Sequence, residues 1–180
     1  MHARGVREHR YTLDLPHSVD RLWALMQDYP RWTEYAPMVV RVEVLHPGDA
    51  RGNGLLRRVI YKMPFGRVGS ALELVTDVVS PSEARATNGS NGADREPWCG
   101  YTYTMISRAT GNDQTGRVRL EPVGPRQTRL HFEERYHLVS APWRWFEGPI
   151  YGFINRQNEA SMRSLSTWLS GHPEYRPELS

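Results

Sequence analysis

The chain has 180 residues, 39% of them hydrophobic, a length that suits one domain burying roughly 70% of its unfolded surface, with area enough to enclose a ligand. A mean hydropathy of -0.62, with no apolar run near the roughly 20 residues of a bilayer span, excludes a membrane-spanning helix, and MHARGVREHRYTLDL lacks the apolar stretch of an export signal, so a cytoplasmic protein is expected. The net charge of +3 comes from arginines spread among 20 carboxylates with Lys62 as the one lysine, which argues against a nucleic-acid surface, and the single cysteine, Cys99, excludes an internal disulfide or a multi-cysteine metal site.

His9, Tyr11, Leu13 and Leu15 alternate with Glu8, Arg10, Thr12 and Asp14, the period of a strand with one buried face. Pro16 and His17 end it. Ser18 is placed to cap a helix, and Val19, Leu22, Trp23 and Met26 repeat at helical spacing, which predicts a helix over 19–28. Tyr29-Pro30 interrupts, and one or two further helical turns are expected over 31–36 before Pro37. From Met38 the period returns to two. Strands are predicted from 38 to 45, over 55–62 and over 68–79, separated by Pro47-Gly48-Asp49, Gly52-Asn53-Gly54 and Met63-Pro64-Phe65-Gly66. On 68–79, Ser70, Leu72, Leu74, Thr76 and Val78 are expected to share one face, with Glu73 and Asp77 turned to water. A short strand over 83–87 follows Pro81, and the glycine-rich 88–97 reads as a surface loop. Strands resume over 99–107, 116–123 and 127–138, divided by Gly111-Asn112-Asp113 and Gly124-Pro125. A long helix closes the chain over 145–170, where Ile150, Phe153, Ile154, Met162, Leu165, Trp168 and Leu169 recur at helical spacing.

This order predicts an α+β domain over 7–170, with tails at 1–6 and 171–180. A curved antiparallel sheet of seven or eight strands wraps around the C-terminal helix. The space between them is the natural functional site.

Over residues 8–170 the sequence resembles the START-related, Bet v 1-like (SRPBCC) superfamily, in its polyketide cyclase/dehydrase and lipid transport branch. The resemblance is carried by VDRLWALMQDYPRWTEYAP, by Gly52-Asn53-Gly54, by GRVRLEPVGPRQTRLHFEERY and by the final helix. It implies the helix-grip fold with a ligand cavity. Lipid carriers, hormone receptors and aromatase/cyclases share that fold, so function transfers poorly across it. In the aromatase/cyclases a tyrosine near the cavity mouth and an inward arginine help bind and polarise a polyketone. The resemblance places Tyr35 in the first role and Arg57 or Arg58 in the second; parity alone does not say which arginine points inward.

On 127–138, Glu134 interrupts an otherwise apolar face of Leu130, Phe132, Tyr136 and Leu138. A carboxylate there is costly unless paired or wet. Either it marks a polar spot in the cavity, or the strand outruns the core and Glu134 meets solvent or an arginine. The face of the terminal helix that carries Ile150, Ile154, Ser161, Leu165 and Trp168 likewise turns polar at Asn158, with Gln157 beside it. Trp32, Tyr35, Tyr101, Tyr103 and Tyr136 offer flat apolar surfaces with polar tips, and Phe153 and Met162 complete the expected ligand contacts. His131, Glu133 and His137 share a strand face, but the outer one, so no metal site is expected. There is neither a nucleophile elbow nor a phosphate loop.

The expected function is binding of a hydrophobic or amphipathic small molecule, lipid, isoprenoid or polyketide-like, by a monomer or homodimer without cofactor. The alternative is an aromatase/cyclase or dehydratase-like enzyme using the same cavity, with Glu134 or Tyr35 moving protons and Arg57 or Arg58 stabilising enolate charge. An interaction module with a filled core is a third class.

Overall fold

The computed structural model describes residues 6–63, 66–90, 98–105, 112–138 and 147–175. Strand β1 (Val6–Leu15) leads through Pro16 into helix α1 (Val19–Gln27), a single 3-10 turn at Tyr29–Arg31 and the short helix α2 (Trp32–Tyr35). Strands β2 (Val39–His46), β3 (Leu55–Lys62) and β4 (Val68–Val79) follow, then helix α3 (Pro81–Ser90). Strands β5 (Cys99–Met105), β6 (Asn112–Gly124) and β7 (Gln127–Leu138) precede the long helix α4 (Glu147–Gly171). The seven strands form one sheet in the order β1-β7-β6-β5-β4-β3-β2, every neighbouring pair antiparallel. Chain order is thus spatial order, except that β1 folds back onto β7. This is the helix-grip architecture expected from the sequence.

Three local expectations are corrected. The segment after Pro81 is helix, not a strand over 83–87. Ser80-Pro81-Ser82-Glu83 is a capping box: the Ser80 backbone N–H donates to Glu83 Oε2 at 2.9 Å, the Glu83 N–H donates to Ser80 Oγ at 3.2 Å, and proline opens the first turn. The helix takes in 88–90, and the rest of the expected 88–97 loop lies outside the described residues. Asn112 and Asp113, read as a turn, belong to β6, which reaches back to pair Asn112 with Leu138.

The third correction is the face of β4. Ala71, Glu73 and Val75 are buried, while Ser70 and Asp77 are exposed. Asp77 has a left-handed φ of 53°, and pairing to β5 slips between Thr76 and Val79. This bulge returns Val78 to the interior after a stretch in which the opposite parity is buried. Glu73 therefore faces inward because Arg57, directly opposite it on β3, supplies its partner.

Leu22 and Leu25 of α1, Leu120 and Leu130 of the sheet, and Leu165 and Leu169 of α4 are fully buried and close one end of the molecule. Polar ties hold α4 there. Arg21 donates to the carbonyls of Leu169 at 3.3 Å and His172 at 2.7 Å, a cation at the negative end of the helix. His17, its proton affinity lowered by burial, donates from Nε2 to the Ser166 carbonyl at 2.9 Å, and Trp168 donates to Glu34 at 3.0 Å. Toward the N-terminal half of α4 the packing opens.

Candidate functional site

Between that half of α4 and the concave face of β3–β7 lies a cavity of about 240 Å³. Small side chains at Ala36, Ala71 and Ser161 leave its volume unfilled, and Met26, Met38, Met63, Met105 and Met162 provide adaptable apolar walls. Among the expected ligand contacts, Trp32, Tyr35, Tyr101, Tyr103, Asn158 and Met162 line it. Tyr136 sits behind the wall, 1% exposed, and half-buried Phe153 lies off the lining.

At the end of the cavity near α2, Arg57 is the inward arginine. Its Nε donates to Glu73 Oε2 at 2.9 Å and its Nη2 reaches the same oxygen at 2.8 Å. Tyr61 donates its hydroxyl proton to the other oxygen, Oε1. The guanidinium carbon lies 4.4 Å from the ring centre of Trp32, 5.1 Å from Tyr29 and 5.8 Å from Tyr101. Burial by itself would weaken the Arg57 proton; the charge of Glu73 and the surrounding tyrosines override it and leave the cation held more firmly than usual. Arg58 points the other way and pairs with Glu43 at 3.1 Å on the outer face, which removes it from the site. Tyr35, 5% exposed, donates to the Leu25 carbonyl at 3.4 Å, and burial raises its pKa well above the ordinary value.

Glu134 forms the second polar centre, completely buried on β7. Tyr103 and Gln114 donate to its Oε1, Tyr136 donates to Oε2, and Asn158 donates to Oε2 at 2.6 Å. Tyr136 also lies 3.0 Å from Asn155 Oδ1, which ties the cluster to α4. The carboxyl is pushed up to about 7 by burial, against the pull of the hydrogen bonds from Tyr103, Tyr136 and Gln114. Neither Arg57 nor Arg58 is its partner, so the expected alternative of an arginine anchor is replaced by a ring of neutral donors.

Backbone register makes this cluster possible. Gly116 on β6 lies between Tyr103 on β5 and Glu134 on β7, directly paired to both. A Cβ at Gly116 would fall 2.3 Å from the Tyr103 ring, so only glycine lets the phenol lie across β6 and reach the carboxyl.

Glu73, Tyr61 and Gln114 were not anticipated. Glu73 was legible in principle: a hairpin that sets Lys62 opposite Val68 also sets Arg57 opposite Glu73. Gln114 lay before the expected start of its strand. On the outer face, His131 interacts with Glu121 at 3.1 Å and Glu133 with Arg10 at 2.8 Å. Among the described residues no group of three metal-ligating side chains converges, and no helix is long and apolar enough to cross a membrane. Burial pushes the Cys99 thiol up to about 12, as suits a small core residue.

Residues 8–169 match the model of the family described as polyketide cyclase / dehydrase and lipid transport. The chain belongs to that family. A search of curated proteins returned no match. Among solved structures, the chain is similar to the ZhuI aromatase/cyclase from Streptomyces sp. R1128, with a TM-score of 0.72 and 12% identity over 93% of this chain and 95% of that one. It is also similar to a START superfamily protein from Mycobacterium smegmatis, with a TM-score of 0.58 and 14% identity over 93% and 97%. A norcoclaurine synthase from Thalictrum shares the fold at a TM-score of 0.57 and 16% identity over 93% and 96%. At these identities the likeness is one of fold alone.

Proposed function

We propose that this chain binds a hydrophobic or amphipathic small molecule of lipid, isoprenoid or polyketide-like kind in the cavity between the sheet and α4. The observation that carries this reading is the cavity of about 240 Å³, walled mainly by methionines and aromatic rings, with one charged pair, Arg57–Glu73, in its lining and the Glu134 cluster just behind it among the described residues. An apolar space with a few fixed polar groups is how proteins bind and orient small amphipathic ligands. Membership of a family whose description includes lipid transport supports it. Native mass spectrometry of the purified protein tests it: a co-purifying small molecule, released on denaturation and excluded by a cavity-filling Met162→Trp, is the expected result. A protein free of ligand that also fails to take up neutral apolar probes contradicts it.

A second reading, an aromatase/cyclase or dehydratase-like enzyme, is favoured by one observation. Glu134 is poised near neutrality, and its donor Tyr103 lines the cavity, so a proton can pass between carboxyl and ligand through the phenol. In this reading Glu134 is the acid–base group and Tyr103 its relay, while Arg57, its charge shared with Glu73, offers a developing enolate only the residual field of the ion pair. Tyr35 and Arg58 are dropped from catalysis, the first bonded to a backbone carbonyl and the second on the outer face. Glu134→Gln should then abolish turnover of a model polyketone with binding changed less than about threefold; turnover equal to wild type contradicts the role.

A further inference from the structure

The two polar centres also select among ligands. Arg57 and Glu73 line the cavity as a closed ion pair, so the guanidinium charge is already cancelled where a ligand would meet it, and its faces are covered by Tyr29, Trp32 and Tyr101. Glu134 lies one side chain behind the wall, with no cation among its partners: Tyr103, Gln114, Tyr136 and Asn158 are all neutral. Arg58 and Lys62 on β3 and Arg156 and Arg163 on α4 are exposed and do not line the cavity. Among the described residues the site therefore carries two carboxyl groups against one guanidinium. Two phenols of the wall are committed in the same sense. Tyr61 gives its proton to Glu73 and Tyr103 gives its proton to Glu134, so both phenol oxygens reach the cavity with lone pairs only.

We infer that the cavity selects a ligand whose polar group donates a hydrogen bond and bears no negative charge, an alcohol, phenol or amine, and rejects carboxylates and phosphates. A carboxylate entering this space meets, at Tyr61 and Tyr103, phenol oxygens that cannot donate, and an arginine whose charge is spent on Glu73. In a wall of low dielectric the nearby carboxylate then repels it with little screening. A hydroxyl or ammonium group instead finds acceptors already oriented. The inference rests on the reading of the cavity as a ligand site, and within that reading it excludes free fatty acids and acyl phosphates.

Calorimetric titration with decan-1-ol, decylamine and decanoate at pH 8.5 tests it, since the three share chain length and differ in head group. The alcohol and the amine should bind at least about tenfold more tightly than decanoate. Glu73→Gln leaves the Arg57 cation uncompensated in the wall and should tighten decanoate about tenfold or more, removing the preference for the alcohol over decanoate. Should that variant fail to fold, Glu134→Gln, which removes the carboxylate behind the wall, must narrow the preference for alcohol over decanoate by at least about threefold. Decanoate binding wild type as tightly as the alcohol, or a preference unmoved by the variants, overturns the inference and leaves the ligand site standing. Failure of all three compounds to bind, with no uptake of the neutral dye Nile red, overturns the ligand site and the inference with it.

Discussion

At the scale of single residues, Glu134 fixes the pH behaviour. Its folded pKa of about 7 lies above the ordinary carboxylate value of 4.5, because burial penalises the charged form. A raised acid contributes its full stability below pH 4.5 and loses it as pH climbs through 7. Between pH 5 and pH 8.5, urea denaturation should therefore show wild type losing roughly 2–3 kcal/mol more than Glu134→Gln. Parallel curves for the two proteins would place the carboxyl in solvent. Arg57 and Glu73 behave differently, since each is buried only because the other is. Glu73→Ala should cost about 3–5 kcal/mol by stranding a cation, and the double replacement Arg57→Met with Glu73→Leu should regain most of it. Additive losses would show that the two do not act as a pair. Glu134 stood out in the sequence as a carboxylate on an apolar face, whereas Glu73 did not. Its strand reads equally well with either parity until the Asp77 bulge and the opposing Arg57 are known.

At the scale of elements, two short sequences decide geometry. The capping box Ser80–Glu83 turns a segment of low amphipathicity into α3, and Ser80→Ala should cost about 1 kcal/mol in chemical denaturation, with Arg51, which pairs with Glu83 at 2.9 Å, too exposed to compensate. Gly116 holds the space for Tyr103. Gly116→Ala should destabilise by about 1–3 kcal/mol and detach Tyr103 from Glu134. The readout beyond stability is a crystal structure, in which an unmoved Tyr103 ring would contradict this assignment. The bounds of β3, β4 and β7 and of α1 were legible in the sequence to within a residue or two, and for β7 and α1 so was the buried face, because there apolar spacing is the physical cause of burial. The helix α3 was not, because its signal is a reciprocal pair of backbone hydrogen bonds rather than a stripe of apolar residues. The N-terminal end of β6 was missed for a related reason: Asn112 and Asp113 favour turns locally, and pairing with β7 overrides that preference.

At the scale of the whole molecule, a seven-stranded sheet is closed at one end by leucines from α1, the sheet and α4, and left open beneath the other half of α4. Full packing of that half would add stability, so the retained cavity is the feature on which the proposed binding of a ligand rests. The direct measurement is a Nile red fluorescence titration of wild type beside Met162→Trp, in which the indole takes up cavity volume from α4. Saturable binding by wild type, weakened at least about tenfold in Met162→Trp while the far-ultraviolet circular dichroism stays the same, is the result this account predicts. Equal binding by the two folded proteins, or none by wild type, would contradict it.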